Sequence, residues 1–294
     1  MAQEPTFIDL QINGHGGIDL LSAQSSEEIR QVNRSLYQSG VKAYLPTLIT
    51  ADPMQLKKSA ELIRNVKANP ENGEAQILGF HLEGPFISHE KCGVHPQHFI
   101  RLPDISLMKD YLAIRDVRMV TLAPELPGAL DLIRFLADQG VTVSLGHSNA
   151  TIDEAHAGFD AGATTVTHLY NGMSKFPGLA QAALERDGLI FQIIVDDVHV
   201  TRENVELAIR GREDRFVLTN DTVAPAGNVD GTYNFGEMTI EVKNRQARRI
   251  DGTLAGGIGT FSESISILKE IGVSETSAIA AGTTRPLALI GENQ

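Results

Sequence analysis

Eight short apolar runs, each separated from the next by a longer stretch, constrain the fold of this chain more than any other feature. The runs lie near residues 7–12, 42–48, 77–82, 117–122, 142–146, 163–167, 189–195 and 215–219. Most are rich in Ile, Val, Leu or Thr, the composition of strands buried on both faces. Helical patterns lie between them. Residues 26–39 follow Ser25 and Ser26, which offer N-caps, and end at Gly40. Residues 53–68 place Leu56, Ala60, Ile63 and Val66 on one helix face. Residues 128–139, 151–161 and 201–210 end at Gly140, Gly162 and Gly211. Eight such units in 294 residues predict an α/β protein of the (β/α)8, TIM-barrel type rather than a doubly wound sheet. A doubly wound sheet calls for a phosphate-binding glycine fingerprint after the first strand. Asn13-Gly-His-Gly-Gly17 is glycine-rich there, but its spacing is wrong and no helix follows at once. A loop forced close to a ligand is the better reading.

Residues 228–253 break the alternation. Gly231-Thr-Tyr-Asn-Phe-Gly236 and Met238-Thr-Ile-Glu-Val-Lys243 predict a β-hairpin inserted after the eighth strand, on the active-site side. Further helices are expected over 259–271 and 274–282. No repeat, low-complexity segment or long linker divides the chain, so residues 1–294 are expected to form one domain.

The formal net charge of −12 argues against nucleic acid or an anionic membrane as a partner, since both need a basic surface. No run approaches the roughly 18 apolar residues of a membrane span. The first residues lack the basic start and apolar core of a signal peptide, so a cytoplasmic location is expected. Cys92 is the only cysteine; it cannot form an intrachain disulfide and reads as a loop thiol.

Four polar residues close four of the apolar runs. Glu83 lies in His81-Leu-Glu-Gly-Pro85, His147 in Leu145-Gly-His-Ser148, His168 in Thr167-His-Leu-Tyr-Asn171, and Asp221 ends Phe216-Val-Leu-Thr-Asn-Asp221. Any one of them alone is more ordinary as a buried, hydrogen-bonded structural group. Together, at the strand ends of one barrel, Glu83, His147 and His168 could hold one divalent, zinc-like ion. Three protein ligands with a position left for water is the catalytic pattern. Asp221 is then placed to take a proton from water and to return one to a leaving group.

These residues also match a family. The chain resembles the N-acetylglucosamine-6-phosphate deacetylases of the amidohydrolase superfamily from about Phe7 to Gly291. The likeness is carried by Phe7-Ile-Asp-Leu-Gln-Ile-Asn-Gly14, His81-Leu-Glu-Gly-Pro85, Lys91-Cys-Gly-Val-His-Pro96, Gly146-His-Ser-Asn-Ala-Thr151, Thr167-His-Leu-Tyr-Asn-Gly-Met173, Asp197-Val-His199, Asn220-Asp-Thr-Val-Ala-Pro-Ala-Gly227 and Asp251-Gly-Thr-Leu-Ala-Gly256. Scattered ligands are common to many amidohydrolases; His-Leu-Glu-Gly-Pro together with Thr-His-Leu-Tyr-Asn is far more specific.

The resemblance implies that Glu83, His147 and His168 hold the metal, that Asp221 is general base and then general acid, and that His95 polarises the acetamide carbonyl. It implies that Asn171, Gly172 and Leu254 meet the amino-sugar phosphate, and that His199 reaches the phosphate of a neighbouring subunit, hence a homodimer. Gln11 and Asn13 stand where most amidohydrolases carry a His-x-His pair. Neutral amides are poor ligands beside imidazole and carboxylate, so one metal ion, zinc or iron(II), is expected rather than two.

Two departures from the family stand out. The loop Ser174-Lys-Phe-Pro-Gly178 offers Lys175 where relatives carry an Arg that clamps phosphate; a lysine acts there only as a point charge. From the segments present, the small β-sandwich that flanking segments form in relatives is expected to be missing. The expected reaction is hydrolysis of N-acetylglucosamine-6-phosphate to glucosamine-6-phosphate and acetate. Lys175 keeps open a related acetamido sugar, N-acetylgalactosamine-6-phosphate or an unphosphorylated one. The expected lack of a sandwich keeps open a silent sugar-phosphate binding protein.

Overall fold

The computed structural model describes residues 6–292. The eight apolar runs become the parallel strands β1 (Phe7–Ile12), β2 (Val41–Ile49), β3 (Phe80–Glu83), β4 (Val117–Leu122), β5 (Thr142–Leu145), β6 (Thr165–Val166), β7 (Ile190–Ile193) and β8 (Phe216–Leu218). They pair in chain order, each with the next. A parallel bridge between Ile12 and Thr222, just past β8, brings the last strand back beside the first. The result is a nearly closed (β/α)8 barrel.

A buried carboxylate spans that seam. Asp9 on β1 accepts hydrogen bonds from Thr219 Oγ1 at 2.7 Å and from the Asn220 amide at 3.1 Å. It also accepts from the amide of Gln11 at 3.1 Å. These bonds tie the two ends of the sheet together close to Asp221.

The helices are α1 (Ser26–Gln38), α2 (Pro53–Ala68), α3 (Ile105–Leu112), α4 (Ala129–Asp138), α5 (Ile152–Ala161), α6 (Leu179–Glu185), α7 (Arg202–Ile209), α8 (Phe261–Glu270), α9 (Glu275–Ala281) and α10 (Thr284–Leu289). Local chemistry sets their starts. Ser25, not Ser26, caps α1 by accepting from the Glu28 amide. Thr151 and Glu154 form a reciprocal capping box at α5, and Thr260 and Glu263 form another at α8. The apolar faces meet the sheet in one large core that includes Leu36, Ile63, Leu132, Leu136 and Phe191. A smaller cluster of Ile8, Leu10, Ala43, Leu45, Met119 and Val217 is completed by Ile290, with Leu287 of α10 against it. That contact gives the end of the chain a packing role.

Several expectations need correction. The run at 77–82 is two pieces, Gln76–Ile77 and β3, because the chain leaves the sheet at Leu78 and Gly79 between them. The insertion after β8 is a three-stranded antiparallel sheet: β9 (Gly231–Phe235), β10 (Met238–Lys243) and β11 (Gln246–Arg249). The third strand, Gln-Ala-Arg-Arg, buries only Ala247 and so shows no apolar alternation. Helices α3, α6 and α10 were not foreseen; all three have 8 residues or fewer. A short ribbon of Gly14–His15 with Ile18–Asp19 follows β1. The expected single domain begins and ends outside the described residues.

Candidate metal centre and the cavity above it

The four strand-end residues come together. Glu83 is the last residue of β3, and His147, His168 and Asp221 lie two or three residues past β5, β6 and β8. The turn off each of these later strands is abrupt: His147, His168 and Asp221 have φ of 47°, 33° and 49°. Such left-handed backbone at non-glycine residues typically costs about 1–3 kcal/mol, and it clusters where side-chain aim matters.

Glu83 Oε1 lies 3.0 Å from His147 Nε2 and 3.1 Å from His168 Nε2. The two Nε2 atoms are 3.1 Å apart. His147 Nδ1–H donates to the Lys91 carbonyl at 2.8 Å, which leaves the Nε2 lone pair facing the carboxylate. A lone pair aimed at an anion is repulsive unless a cation or proton sits between them. The donor set of one carboxylate and two imidazoles is the chemistry that holds a divalent cation such as zinc. Among the described residues, no other group of His, Cys, Asp or Glu makes such a cluster.

The electrostatics agree. Burial alone would raise the Glu83 carboxyl, but the hydrogen bonds and charges of His147 and His168 outweigh it and hold it well below the usual range. Burial would lower His147, yet the bond to Glu83 raises it. For Asp221, burial and then the Glu83 charge push the carboxyl well above its ordinary value. A cation at the cluster would oppose that second effect.

The two amides of β1 sit beside these carboxylates. Gln11 Nε2 donates to Glu83 Oε1 at 3.0 Å, and Asn13 Nδ2 donates to Asp221 Oδ1 at 2.7 Å. The opposite oxygen of each amide is buried without a hydrogen-bond partner.

His95 is buried on the loop after β3, with its Nε2 4.0 Å from Glu83 Oε2. Its Nδ1 accepts from the Thr50 amide at 3.4 Å and lies 2.9 Å from Thr50 Oγ1. The hydrogen-bond network therefore assigns the ring proton to Nε2, the nitrogen on the cavity side. Burial, followed by the His147 charge, lowers His95 to about 3, so the ring is a neutral donor at pH 7.

These groups open into a cavity of about 200 Å³ lined by Asn13, Glu83, His95, His147, His168, Asn171, Gly172, His199, Asp221 and Leu254, with Phe235 and Thr253. Gly172 has to be glycine: a Cβ there would lie 2.9 Å from His147 Nδ1. His199 donates from Nδ1 to Asp196 at 2.7 Å, and its Nε2 is buried and unpartnered. Sequence reasoning missed Asp196, whose link to His199 is local and follows a strand end. Lys175 is exposed and not part of the cavity lining, which contains no Lys or Arg. Gln11 also lies off the lining and reaches the site only through Glu83. A larger groove of about 430 Å³ runs between α2 and α3, lined by Leu56, Ala60, Tyr111 and Ile114, away from the Glu83–His147–His168 cluster.

A (β/α)8 barrel whose strand ends gather a carboxylate, two imidazoles and a separate aspartate defines a metal-dependent amidohydrolase. No family model matches the chain. Among curated proteins it is 35% identical to the N-acetylglucosamine-6-phosphate deacetylase of Danio rerio, across 98% of this chain and 75% of that one. It is 34% identical to the Bacillus subtilis enzyme of the same name, across 90% of this chain and 69% of that one. Among solved structures it superposes on the N-acetylglucosamine-6-phosphate deacetylase of Pasteurella multocida with a TM-score of 0.91 at 32% identity, covering 98% of this chain and 76% of that one. A mutant enzyme from Mycobacterium smegmatis, in complex with N-acetyl-D-glucosamine-6-phosphate, aligns with a TM-score of 0.89 at 31% identity, covering 98% and 78%. The chain belongs to the N-acetylglucosamine-6-phosphate deacetylase family.

Proposed function

We propose that this protein hydrolyses N-acetylglucosamine-6-phosphate to glucosamine-6-phosphate and acetate. The observation that carries the reading is the juxtaposition of His95 Nε2–H, Asp221 and the Glu83–His147–His168 cluster around one small cavity, in a chain of this family. Glu83, His147 and His168 would hold a single divalent ion. When bound, such an ion polarises a carbonyl and eases deprotonation of water.

The protein's own groups do the rest. Asp221 takes a proton from the attacking water as its oxygen bonds to the acetyl carbon. His95 donates from Nε2 to the carbonyl oxygen as negative charge develops there, and because the ring is neutral it donates without giving up its proton. Asp221 then delivers the proton to the sugar nitrogen as the carbon–nitrogen bond breaks. Asn13 holds Asp221 in line from one oxygen, leaving the other free for this shuttle. Asn171, Gly172, His199 and Leu254 would contact the sugar phosphate.

Finer expectations travel with this reading: zinc or iron(II) as the ion, a homodimer, one domain over residues 1–294, and a cytoplasmic location; His199, expected to reach a neighbouring subunit, lines this chain's own cavity instead. Among the described residues, no helix is long and apolar enough to cross a membrane. Phosphate recognition is the open element of specificity, because Lys175 stands outside the cavity lining. Acetate release from N-acetylglucosamine-6-phosphate and from N-acetylglucosamine, measured side by side on metal-loaded protein, tests it. A strong preference for the phosphorylated sugar is expected; equal or reversed rates would overturn the phosphate assignment, and no release from either would overturn the reaction.

A further inference from the structure

The turn between β9 and β10, Phe235-Gly236-Glu237-Met238, has one face in the site. Phe235 is 2% exposed and forms part of the cavity lining. The insertion that carries it packs Ile240, Val242 and Ala247 into the main core. Asp19, on the ribbon after β1, ties the turn itself to the barrel. Its Oδ2 accepts the Gly236 amide at 2.8 Å, across a sequence separation of 217 residues, and the Ser22 amide at 3.1 Å. Its Oδ1 is buried with no partner.

A fully buried carboxylate is a costly anchor, and burial pushes its carboxyl up. Nothing in the deacetylation uses it. On the other side of the turn, Glu237 pairs with His98, three residues past His95, at 3.2 Å. The turn thus touches both the ribbon after β1 and the loop that carries His95, but the His98–Glu237 pair is exposed and weak, which leaves the Asp19 bonds as the buried tie.

We propose that Asp19 is a positioning residue for the substrate-facing side of the cavity: it holds the Gly236 amide so that Phe235 packs against the bound sugar. The proposal rests on the deacetylase reading. Both of its backbone bonds fall on one oxygen, so an asparagine can place its carbonyl there and keep both, while its NH2 group takes the place of the unpartnered oxygen. An alanine keeps neither.

The experiment compares Asp19→Ala, Asp19→Asn and the wild type for acetate release from N-acetylglucosamine-6-phosphate, with bound metal and backbone hydrogen exchange over residues 231–243 measured on the same samples. Asp19→Ala is expected to raise KM about tenfold, to leave kcat within about threefold and metal content unchanged, and to speed exchange at Gly236, because a displaced contact surface weakens binding more than chemistry. Asp19→Asn is expected to restore KM to within about twofold of the wild type, since the acceptor and not the charge is what positions the turn. Should Asp19→Ala not fold, Gly236→Ala tests the same turn from its other side. Gly236 has φ of 58°, and an added Cβ would lie 3.3 Å from Leu21 Cδ2. That variant should also raise KM with kcat preserved. An unchanged KM in the folded variants, or an asparagine as impaired as the alanine, overturns the proposal. Absence of acetate release by the wild type overturns the deacetylase reading instead.

Discussion

The proposed proton-shuttling role rests on one carboxylate, and its consequences are sharp. Asp221→Asn keeps the size and the partner amide of Asn13 but cannot accept a proton. Turnover is expected to fall about 10³-fold, as for loss of a general base, while the metal content stays that of the wild type. Steady-state acetate release with metal analysis checks both halves. A folded, metal-loaded variant with near-normal turnover would remove Asp221 from the mechanism.

Histidines buried away from the reaction should govern acid stability. Burial lowers His15 and His81 to about 4. Both remain neutral in the folded protein while the unfolded chain takes up protons below about pH 6.5, so their contribution to stability is complete above that pH. It is lost as the pH falls toward 4, and amounts to about 3 kcal/mol for each ring. Asp9 works in the opposite sense. Burial raises it to about 6, so it favours the folded state as the pH falls through the same window. Burial raises Asp19 and Asp221 as well, so the contribution of one ring is read by difference. Urea midpoints of wild type and His15→Gln, both chelated, at pH 7, 5.5 and 4.5 should differ by an amount that shifts against the wild type as the pH falls, because the variant lacks the ring whose contribution is lost. A difference independent of pH would contradict the burial argument.

At the scale of elements, barrel closure and catalysis share parts. Asp9 on β1 holds Thr219 and Asn220 beyond β8, and the next residue is Asp221. Asp9→Ala leaves a hydroxyl and two amides without their acceptor in a buried seam, which should cost about 2 kcal/mol or more. Because the seam orients Asp221, kcat should fall as well. A stability loss by urea titration with kcat untouched would show that the seam and the site are independent.

The elements also show how far local reasoning reaches. The eight strands and most long helices were legible because each repeats an apolar spacing over many residues. Strand β11 was not, since its single buried residue, Ala247, makes no pattern. The candidate metal cluster and the aspartate beside it were legible because Glu83, His147, His168 and Asp221 each close an apolar run. His95 was weak on spacing alone and needed the family likeness, because it sits in a loop and its partner, Thr50, follows a different strand. Asp19 and Asp196 went unnoticed because nothing in their neighbourhood marks the atoms they hold.

For the whole molecule, the metal is expected to act as a ligand of the fold as well as of the reaction. Glu83, His147 and His168 come from three strands, and without a cation their lone pairs face a buried anion. Removing the ion with a chelator should lower Tm by about 10 °C at metal concentrations near a thousandfold above Kd. One equivalent of zinc or iron(II) should restore it. Calorimetry of chelated and reloaded protein gives the answer, and an unchanged Tm would mean that the cluster binds no ion in solution.

Sequence alone determined the barrel, the order of its strands, the family, and the set of polar residues at the strand ends. Periodicity and short motifs are written into neighbouring residues, and a parallel barrel places every strand end on one rim whatever the loops do. Only the tertiary structure decided which of those residues touch. Asn13 meets Asp221 across 208 positions, Asp19 meets Gly236 across 217, and Lys175 stays out of the cavity lining that its place in the chain suggested. Such contacts depend on how loops from different strands turn back over the rim. That is set by packing and by single hydrogen bonds between distant residues, which leave no periodic trace in the chain.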